Sequence, residues 1–205
     1  MKLLGIVCSP RKKGNTEVLV KLVLDSAQKH GAETEIINIC DYDIAPCDGC
    51  ESCEKTGKCK INDDMQTIYA KFLKSDAIVV GSPVYYWGVT AQAKAMIDRT
   101  FVFRKERRLR NKVAGAVVVA RDTGASAAFS QLSDFFNLHR MIPARSIGPR
   151  TADELARERG GGVIAYADKR GEVRGNEKAI GEAESLGKAI VETLRMLQSG
   201  SQEAR

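Results

Sequence analysis

The 205-residue chain lacks the features that place a protein in a membrane or send it out of the cell. It contains no stretch of the ~20 apolar residues that a membrane-spanning helix needs. The apolar run near its first residue is too short for a secretory leader, and basic residues follow it where a cleavage site would lie. We therefore expect a cytoplasmic protein without a membrane partner, whose cysteines stay reduced.

The sequence is also poor in the residues and motifs of hydrolysis and nucleotide binding. Its two histidines, His30 and His139, fall near the ends of predicted helices, and we interpret them as structural. No Ser–His–Asp set and no acid pair suggests hydrolysis. The loop after the first predicted strand matches neither G-x-x-x-x-G-K-S/T nor G-x-G-x-x-G, which argues against a nucleoside triphosphate or a dinucleotide there.

Short apolar runs alternate with amphipathic stretches, which is typical of a parallel sheet covered by helices. Predicted strands span residues 3–8, 33–39, 76–81, 113–120 and 141–147. Predicted helices span residues 16–30, 63–73, 90–103, 126–139 and 176–197. Five strands and five helices suit a flavodoxin-like, doubly wound α/β fold with a five-stranded parallel sheet in the order 2-1-3-4-5.

We predict a single domain over residues 1–199. A cysteine-rich loop at residues 40–62 follows the second strand and is too long for an ordinary connection, which favours a functional role. The polar, glycine-rich segment 148–175 is predicted to be irregular, and residues 200–205 to form a disordered tail.

Four cysteines fall within thirteen residues of the long loop, in the pattern C-x2-C-x2-C-x5-C: Cys47, Cys50, Cys53 and Cys59. A [4Fe–4S] cluster needs one thiolate per iron, and compact C-x2-C-x2-C runs supply most of them in bacterial ferredoxins. Structural zinc usually takes two separated cysteine pairs. The spacing favours an iron–sulfur cluster, with zinc and redox-active or inert thiols as alternatives. We interpret Cys8 as a core residue and leave Cys40 outside the ligand set.

The loop from Ser9 to Thr16 offers hydroxyls, the Asn15 amide, Arg11 and the N–H groups of a helix N-terminus around Gly14. Such a nest can hold a terminal phosphate monoester. The alternative is that these polar residues only cap the helix.

Two further loops follow predicted strands at the same sheet edge. The loop after the third strand begins "SPVYYWG", in which Pro83 stiffens the turn, Tyr85, Tyr86 and Trp87 supply aromatic planes, and Gly88 admits a flat ring. Exposure of three adjacent aromatic side chains to water is unfavourable, so we expect them to cover either a planar ligand or a partner subunit. The loop after the fourth strand, "RDTGAS", could bind the polar edge of an isoalloxazine ring.

In these loops the chain resembles the iron–sulfur flavoprotein branch of the NADPH-dependent FMN reductase superfamily. The resemblance is carried by "SPRKKGNT", "SPVYYWGVTAQAKAMIDR" and the cysteine run, and covers residues 1–150 and the last helix. It implies that Ser9, Arg11, Gly14, Asn15 and Thr16 hold the FMN phosphate. The residues it implies around the flavin ring are Ser82, Pro83, Val84, Tyr85, Tyr86, Trp87 and Gly88, with Thr123 and Gly124 at the pyrimidine edge in place of the usual Gly-Gly. It also implies a homodimer or a dimer of dimers.

The expected cofactors are therefore FMN and a [4Fe–4S] cluster. The leading hypothesis is an electron-transfer flavoprotein that couples one-electron carriers such as ferredoxin to quinone, dioxygen or peroxide. One alternative is an NAD(P)H-dependent FMN or quinone reductase whose cysteine loop holds zinc or no metal. Another is a non-catalytic, zinc-stabilised scaffold.

The formal net charge of +6 does not by itself indicate nucleic acid binding. An oxidised cluster with four thiolates carries roughly −2 and a flavin phosphate about −2, which would leave the loaded protein near +2. The basic run at residues 104–112 is interpreted as a solvated helix end, with docking of an acidic electron-transfer partner as the alternative. We predict no nucleic acid partner.

Overall fold

The computed structural model describes residues 1–144 and 161–203, and it consists of one parallel sheet with helices on both faces. Its main strand order is β2-β1-β3-β4-β5, as predicted for a flavodoxin-like fold, and a sixth strand also pairs with β4. The strands are β1 (Lys2–Val7), β2 (Glu33–Asn38), β3 (Ala77–Pro83), β4 (Val113–Ala120), β5 (Ile142–Pro143) and β6 (Gly162–Tyr166).

The fifth position of the sheet is shared by two short strands. β5 pairs with the beginning of β4 at Val113 and Ala114, and β6 pairs with the rest of β4 from Ala116 to Ala120. Of the fifth strand predicted over residues 141–147, the described residues include β5 at Ile142–Pro143. Residues 145–147 lie outside the described part of the chain.

β6 also corrects the expectation that residues 148–175 are irregular. The strand is only "GVIAY", and its pattern is the ordinary period of two, with Val163 and Ala165 buried. The strand could not be recognised from the sequence because its alternating pattern is only five residues long and lies within polar, glycine-rich sequence. Residues 145–160 of this segment lie outside the described part of the chain.

The described residues form six α-helices, of which all but the short second one cover the sheet. They are α1 (Asn15–Lys29), α2 (Ser52–Thr56), α3 (Met65–Lys74), α4 (Ala91–Arg99, continued by a 3-10 helix at Thr100–Phe103), α5 (Ala125–Leu138) and α6 (Glu177–Glu203). α2 was not predicted. α6 continues beyond the predicted end at residue 197, so the expected disordered tail is helical as far as Glu203. None of the helices in residues 1–144 and 161–203 is both long enough and apolar enough to cross a bilayer.

The core has two halves, one on each face of the sheet. Successive residues of β1 alternate between them: Leu4 and Ile6 pack with α3, α4 and α5, whereas Leu3 and Val7 pack with α1 and α6. All eight residues of β4 are buried, as expected for a central parallel strand.

Gly81 in β3 sets the distance between the sheet and the start of α1. A Cβ atom at this position would overlap a methyl group of Val20 and lie 2.9 Å from Cγ2 of Thr16. The absence of a side chain therefore lets the first turn of α1 lie directly on the sheet, beside the loop that follows β1.

Candidate functional site

The loops after β1, β3 and β4 meet at the carboxyl edge of the sheet. β1 lies between β2 and β3, so the strand order reverses beside it, and this is where open α/β sheets bind ligands. Backbone hydrogen bonds join the ends of β1, β3 and β4. The Cys8 N–H donates to Gly81 O over 2.7 Å, and the Val84 N–H donates to Val119 O over 2.8 Å. The three loops that the sequence singled out are therefore neighbours.

The first loop ends in a helix N-terminus that has no side-chain cap. Its N-cap residue is Gly14, which has an extended backbone and no side chain to bond the first-turn N–H groups. Ser9 and Thr16 are buried beside it, and Arg11 is exposed at the rim. Uncapped N–H groups, hydroxyls and one cation suit a phosphate, so these residues fit the group predicted there.

A fourth loop, residues 167–175 after β6, was missed by the sequence analysis, and it lies against this phosphate loop. The Asn15 amide donates to Lys169 O over 2.9 Å, and the Val173 N–H points at Asn15 Oδ1 over 3.5 Å. The Arg11 guanidinium lies 3.5 Å from Asp168 O. Asn15 therefore ties two loops together, a role that the sequence could have suggested only if β6 had been recognised.

The aromatic loop after β3 closes in a tight turn. Tyr85 and Gly88 exchange backbone hydrogen bonds of 2.9 and 3.1 Å, and the two residues between them, Tyr86 and Trp87, have φ of +49° and +63°. Left-handed backbone costs a non-glycine residue about 1 kcal/mol or more. Tyr86 is nonetheless fully exposed and Trp87 is 64% exposed. A strained turn that displays aromatic rings to solvent indicates a binding role.

The aromatic loop packs directly on the loop after β4. Gly124 has φ +79°, and a Cβ atom there would overlap the Trp87 indole and lie 3.0 Å from Val84 Cγ1. Thr123 is held by Asp122, whose Oδ1 accepts from the Thr123 N–H over 2.7 Å. The glycine of the Thr-Gly pair is thus the residue that the close approach requires, and together the two loops form one wall.

Two members of the predicted ring-binding set support this wall from behind. The Ser82 hydroxyl is fully buried, donates to Pro83 O over 2.9 Å and accepts from the Thr90 N–H over 3.1 Å. At Gly88 the missing side chain makes room for Gln131 of α5, whose Oε1 accepts from the Val89 N–H over 2.9 Å. Gln131 carries no sequence signal for this role.

The cysteine loop follows β2 and includes the short helix α2. Cys47 and Cys50 are exposed, Cys53 and Cys59 are half-buried, and all four are free thiols. Three residues of the loop have a left-handed backbone: Gly49, Glu51 and Gly57. The two glycines adopt this conformation without strain. Cys8, in contrast, is fully buried at the end of β1, in agreement with a core role, and its burial raises the pKa of its thiol.

The four loop thiols interact electrostatically without converging. Burial raises the pKa of Cys53, and the nearby thiolates of Cys59, Cys47 and Cys50 raise it further. Over the described residues, no three Cys, His, Asp or Glu side chains lie close enough together to hold a metal ion. Four neighbouring free thiols are nevertheless the donor set of an iron–sulfur cluster, so the residues fit it in chemistry.

The two ends of the cysteine loop are joined by hydrogen bonds from backbone N–H groups at its start to carboxylates at its end. Asp63 Oδ2 accepts from the Ala45 N–H over 2.9 Å, and Asp64 Oδ2 accepts from the Asp43 N–H over 2.8 Å. Asp63 also contacts the start of α3, since its Oδ1 accepts from the Met65 N–H over 3.1 Å. The loop therefore leaves the fold and returns to it at nearly the same place.

Comparison with known proteins assigns the family. The family model described as NADPH-dependent FMN reductase matches residues 1–149. An iron–sulfur flavoprotein of Methanocaldococcus jannaschii is 38% identical over 200 residues, 97% of this chain and 100% of that protein. An iron–sulfur flavoprotein of Archaeoglobus fulgidus is 37% identical over 196 residues, 94% of this chain and 94% of that protein.

A solved structure shares the fold. RosB, with bound 8-demethyl-8-formylriboflavin-5'-phosphate, aligns with a TM-score of 0.74 at 18% identity, over 97% of this chain and 81% of its own. From the family model and the two relatives we conclude that the chain belongs to the NADPH-dependent FMN reductase family, in its iron–sulfur flavoprotein branch, and that it is a flavin-dependent oxidoreductase.

Proposed function

We propose that this oxidoreductase is a cytoplasmic electron-transfer protein that holds FMN at the loops after β1, β3 and β4 and a [4Fe–4S] cluster at the cysteine loop. It couples one-electron carriers such as ferredoxin to a two-electron acceptor such as a quinone, dioxygen or peroxide. The observation that carries the proposal is the position of four free thiols in one loop after β2, at the same sheet edge as the three flavin loops. The relatives named iron–sulfur flavoproteins support it.

Bound together, a [4Fe–4S] cluster and FMN supply single-electron transfer and one- or two-electron transfer, respectively. The protein's residues position these groups. The uncapped N-terminus of α1, with Ser9 and Thr16, binds the phosphate, and the wall of Tyr85, Trp87 and Gly124 lies along the ring. Cys47, Cys50, Cys53 and Cys59 ligate the iron.

An NAD(P)H-dependent FMN or quinone reductase is the second candidate, with zinc or no metal at the cysteine loop. It is favoured by the NADPH in the family description. The two candidates differ in composition and absorbance. Protein made without oxygen should contain four irons and four acid-labile sulfides per FMN, with a broad shoulder at ~400 nm. Sharp flavin bands with zinc or no metal, together with reduction of the flavin by NAD(P)H, would instead establish the second candidate.

Changing Arg11 to Ala should weaken FMN binding by roughly tenfold or more and barely change riboflavin binding. A charge-assisted hydrogen bond contributes ~1.5–3 kcal/mol, and Arg11 is an exposed cation at the rim of the phosphate loop. Fluorescence titration of the flavin-free protein with both flavins measures the difference. Lys12→Ala is the matched control, because Lys12 is already paired with Asp41 at 2.6 Å. Equal weakening of both flavins by Arg11→Ala would show that Arg11 does not contact the phosphate.

We also propose that the protein is a homodimer or a dimer of dimers in which the aromatic loop is covered by a neighbouring subunit. Tyr85, Tyr86 and Trp87 form an exposed aromatic patch beside the flavin loops, and such patches are usually buried in an interface. Sedimentation of the loaded protein at micromolar concentration should give at least a dimer. Tyr86→Ser should weaken association, whereas Leu138→Ser, at an exposed position at the end of α5, should not. A monomer that contains FMN and the cluster would contradict this proposal.

A further inference from the structure

Arg99, the last residue of α4, is a charged side chain in the interior of the protein. The residue is 2% exposed and its side chain is fully buried, making it the bulkiest of the fully buried side chains in the described chain. Burial of a guanidinium is unfavourable unless hydrogen bonds and an opposite charge replace the lost water. The hydrogen-bond partners of Arg99 therefore identify the parts of the chain that it positions.

Those partners are the two ends of the cysteine loop. Nη1 donates to Ala45 O over 2.7 Å and to Asp63 Oδ2 over 2.6 Å. Nη2 donates to Asp63 Oδ1 over 2.8 Å and lies 3.4 Å from Ile61 O. The guanidinium thus forms a bidentate pair with Asp63 and also reaches backbone carbonyls on both sides of the loop.

The contacted carbonyls lie next to the outermost cysteines. Ala45 is two residues before Cys47, and Ile61 is two residues after Cys59. One planar guanidinium therefore fixes the separation of the chain segments that carry the first and the last thiol. A lysine could supply the charge, but it lacks the planar fork that reaches both segments at once.

The arrangement is not optimised for stability alone. Arg99 Nε is buried and has no acceptor among the described residues, and an unmet buried donor is unfavourable. Burial is the largest influence on the pKa of Arg99 and lowers it, but the hydrogen bond with Asp63 and the interactions with Tyr69 and Cys59 together outweigh it, so the pKa is raised and the group stays a cation. That cation lies within electrostatic reach of Cys59. Tyr69 fixes the end of α4, because its hydroxyl donates to Arg99 O over 2.9 Å.

We propose that Arg99 is the positioning residue of the cluster site: with Asp63 it clamps both ends of the cysteine loop, so that Cys47 and Cys59 can ligate the same cluster, and it places a positive charge beside the anionic cluster. The inference rests on the proposed function for the cluster, but the clamp itself is a property of the polypeptide and is testable without one.

The clamp is tested first in full-length protein that contains FMN but no cluster. The cysteine loop carries three trypsin sites, Lys55, Lys58 and Lys60. In Arg99→Met and Asp63→Asn, cleavage at these sites should be at least tenfold faster than in the wild type, because the loop ends separate more often. Arg104→Met is the matched control: Arg104 is an exposed arginine near the same loop, with one ion pair to Glu54 at 3.7 Å.

The role in cluster binding is tested by reconstitution with iron and sulfide under anaerobic conditions. Arg99→Met should bind FMN as the wild type does and lose most of its iron and sulfide. Arg99→Lys, which keeps the charge and loses the fork, should retain a partial cluster. The reduction potential of that cluster should differ from the wild-type value, since charge and hydrogen bonds near the sulfurs set it. Arg104→Met should match the wild type in both readouts.

Retained FMN affinity identifies the variants that have folded. If Arg99→Met does not fold, the more conservative variants Asp63→Asn and Arg99→Lys still test the clamp and the positioning role. Wild-type cleavage rates in these variants would overturn the clamp. Increased cleavage with full iron, full sulfide and an unchanged potential would overturn the positioning role. If the wild type takes up no cluster, the proposed function fails, while the proteolysis result still decides whether Arg99 clamps the loop.

Discussion

Changing Cys47, Cys50, Cys53 or Cys59 individually to alanine is expected to remove or degrade the cluster and to leave FMN bound. A [4Fe–4S] cluster needs one thiolate per iron, and the loop supplies four with none to spare. The flavin is held by other loops, so its affinity should be unchanged within about twofold, which corresponds to ~0.4 kcal/mol. Iron, sulfide and flavin analysis of each purified variant measures both effects.

Cys40→Ala is the appropriate control for these variants. Cys40 is also a free, half-buried cysteine, and it lies at the base of the same loop but outside the compact spacing. It should keep the full iron and sulfide content. If all four loop variants do likewise, the ligand assignment is wrong.

Gly81→Ala should lower both the stability of the fold and the affinity for FMN. The new methyl group would overlap Val20 and lie 2.9 Å from Cγ2 of Thr16, so the first turn of α1 must move away from the sheet. Overpacking of this kind typically costs ~1–3 kcal/mol. The displaced turn carries the N–H groups proposed to bind the phosphate, so FMN binding should weaken by roughly tenfold or more, and riboflavin binding by less.

The matched control is Gly115→Ala, the same change in the neighbouring strand β4. There the added Cβ would lie 3.3 Å from a methyl group of Leu186, a side chain that can adjust, so the cost should be under about 1 kcal/mol. Thermal unfolding and flavin titration of both variants test the difference. Identical melting temperatures and FMN affinities would contradict the proposed packing of α1.

The central sheet could be predicted from the sequence because its inner strands β1, β3 and β4 are buried on both faces. A run such as Val113–Ala120 is apolar throughout, and only a covered parallel strand combines that composition with that length. Once the strands are known, the parallel topology brings the loops after β1, β3 and β4 to one edge without further information. The approximate place of the candidate site therefore follows from hydrophobic pattern alone.

The supporting residues could not be predicted because their partners are distant in sequence. Arg99 stands in an amphipathic helix as an ordinary surface cation would, and only the folded chain brings it to Asp63, 36 positions away. The contact of Asn15 with Lys169 spans 154 positions and depends on β6, whose five residues give too short a pattern. Gly88, predicted to let the backbone approach a flat ring, also makes room for Gln131, which no local pattern could reveal.

The clamp of Arg99 on the cysteine loop also has an entropic consequence. Closing a free loop of about 15 residues costs roughly (3/2)RT ln 15, about 2.4 kcal/mol, apart from a constant. Because Ala45 and Ile61 are already joined through Arg99, that cost is met when the chain folds and not when iron and sulfide arrive. Metal uptake then has to order only the interior of the loop. The loop-closure term no longer opposes cluster binding, so the cluster should be bound more tightly.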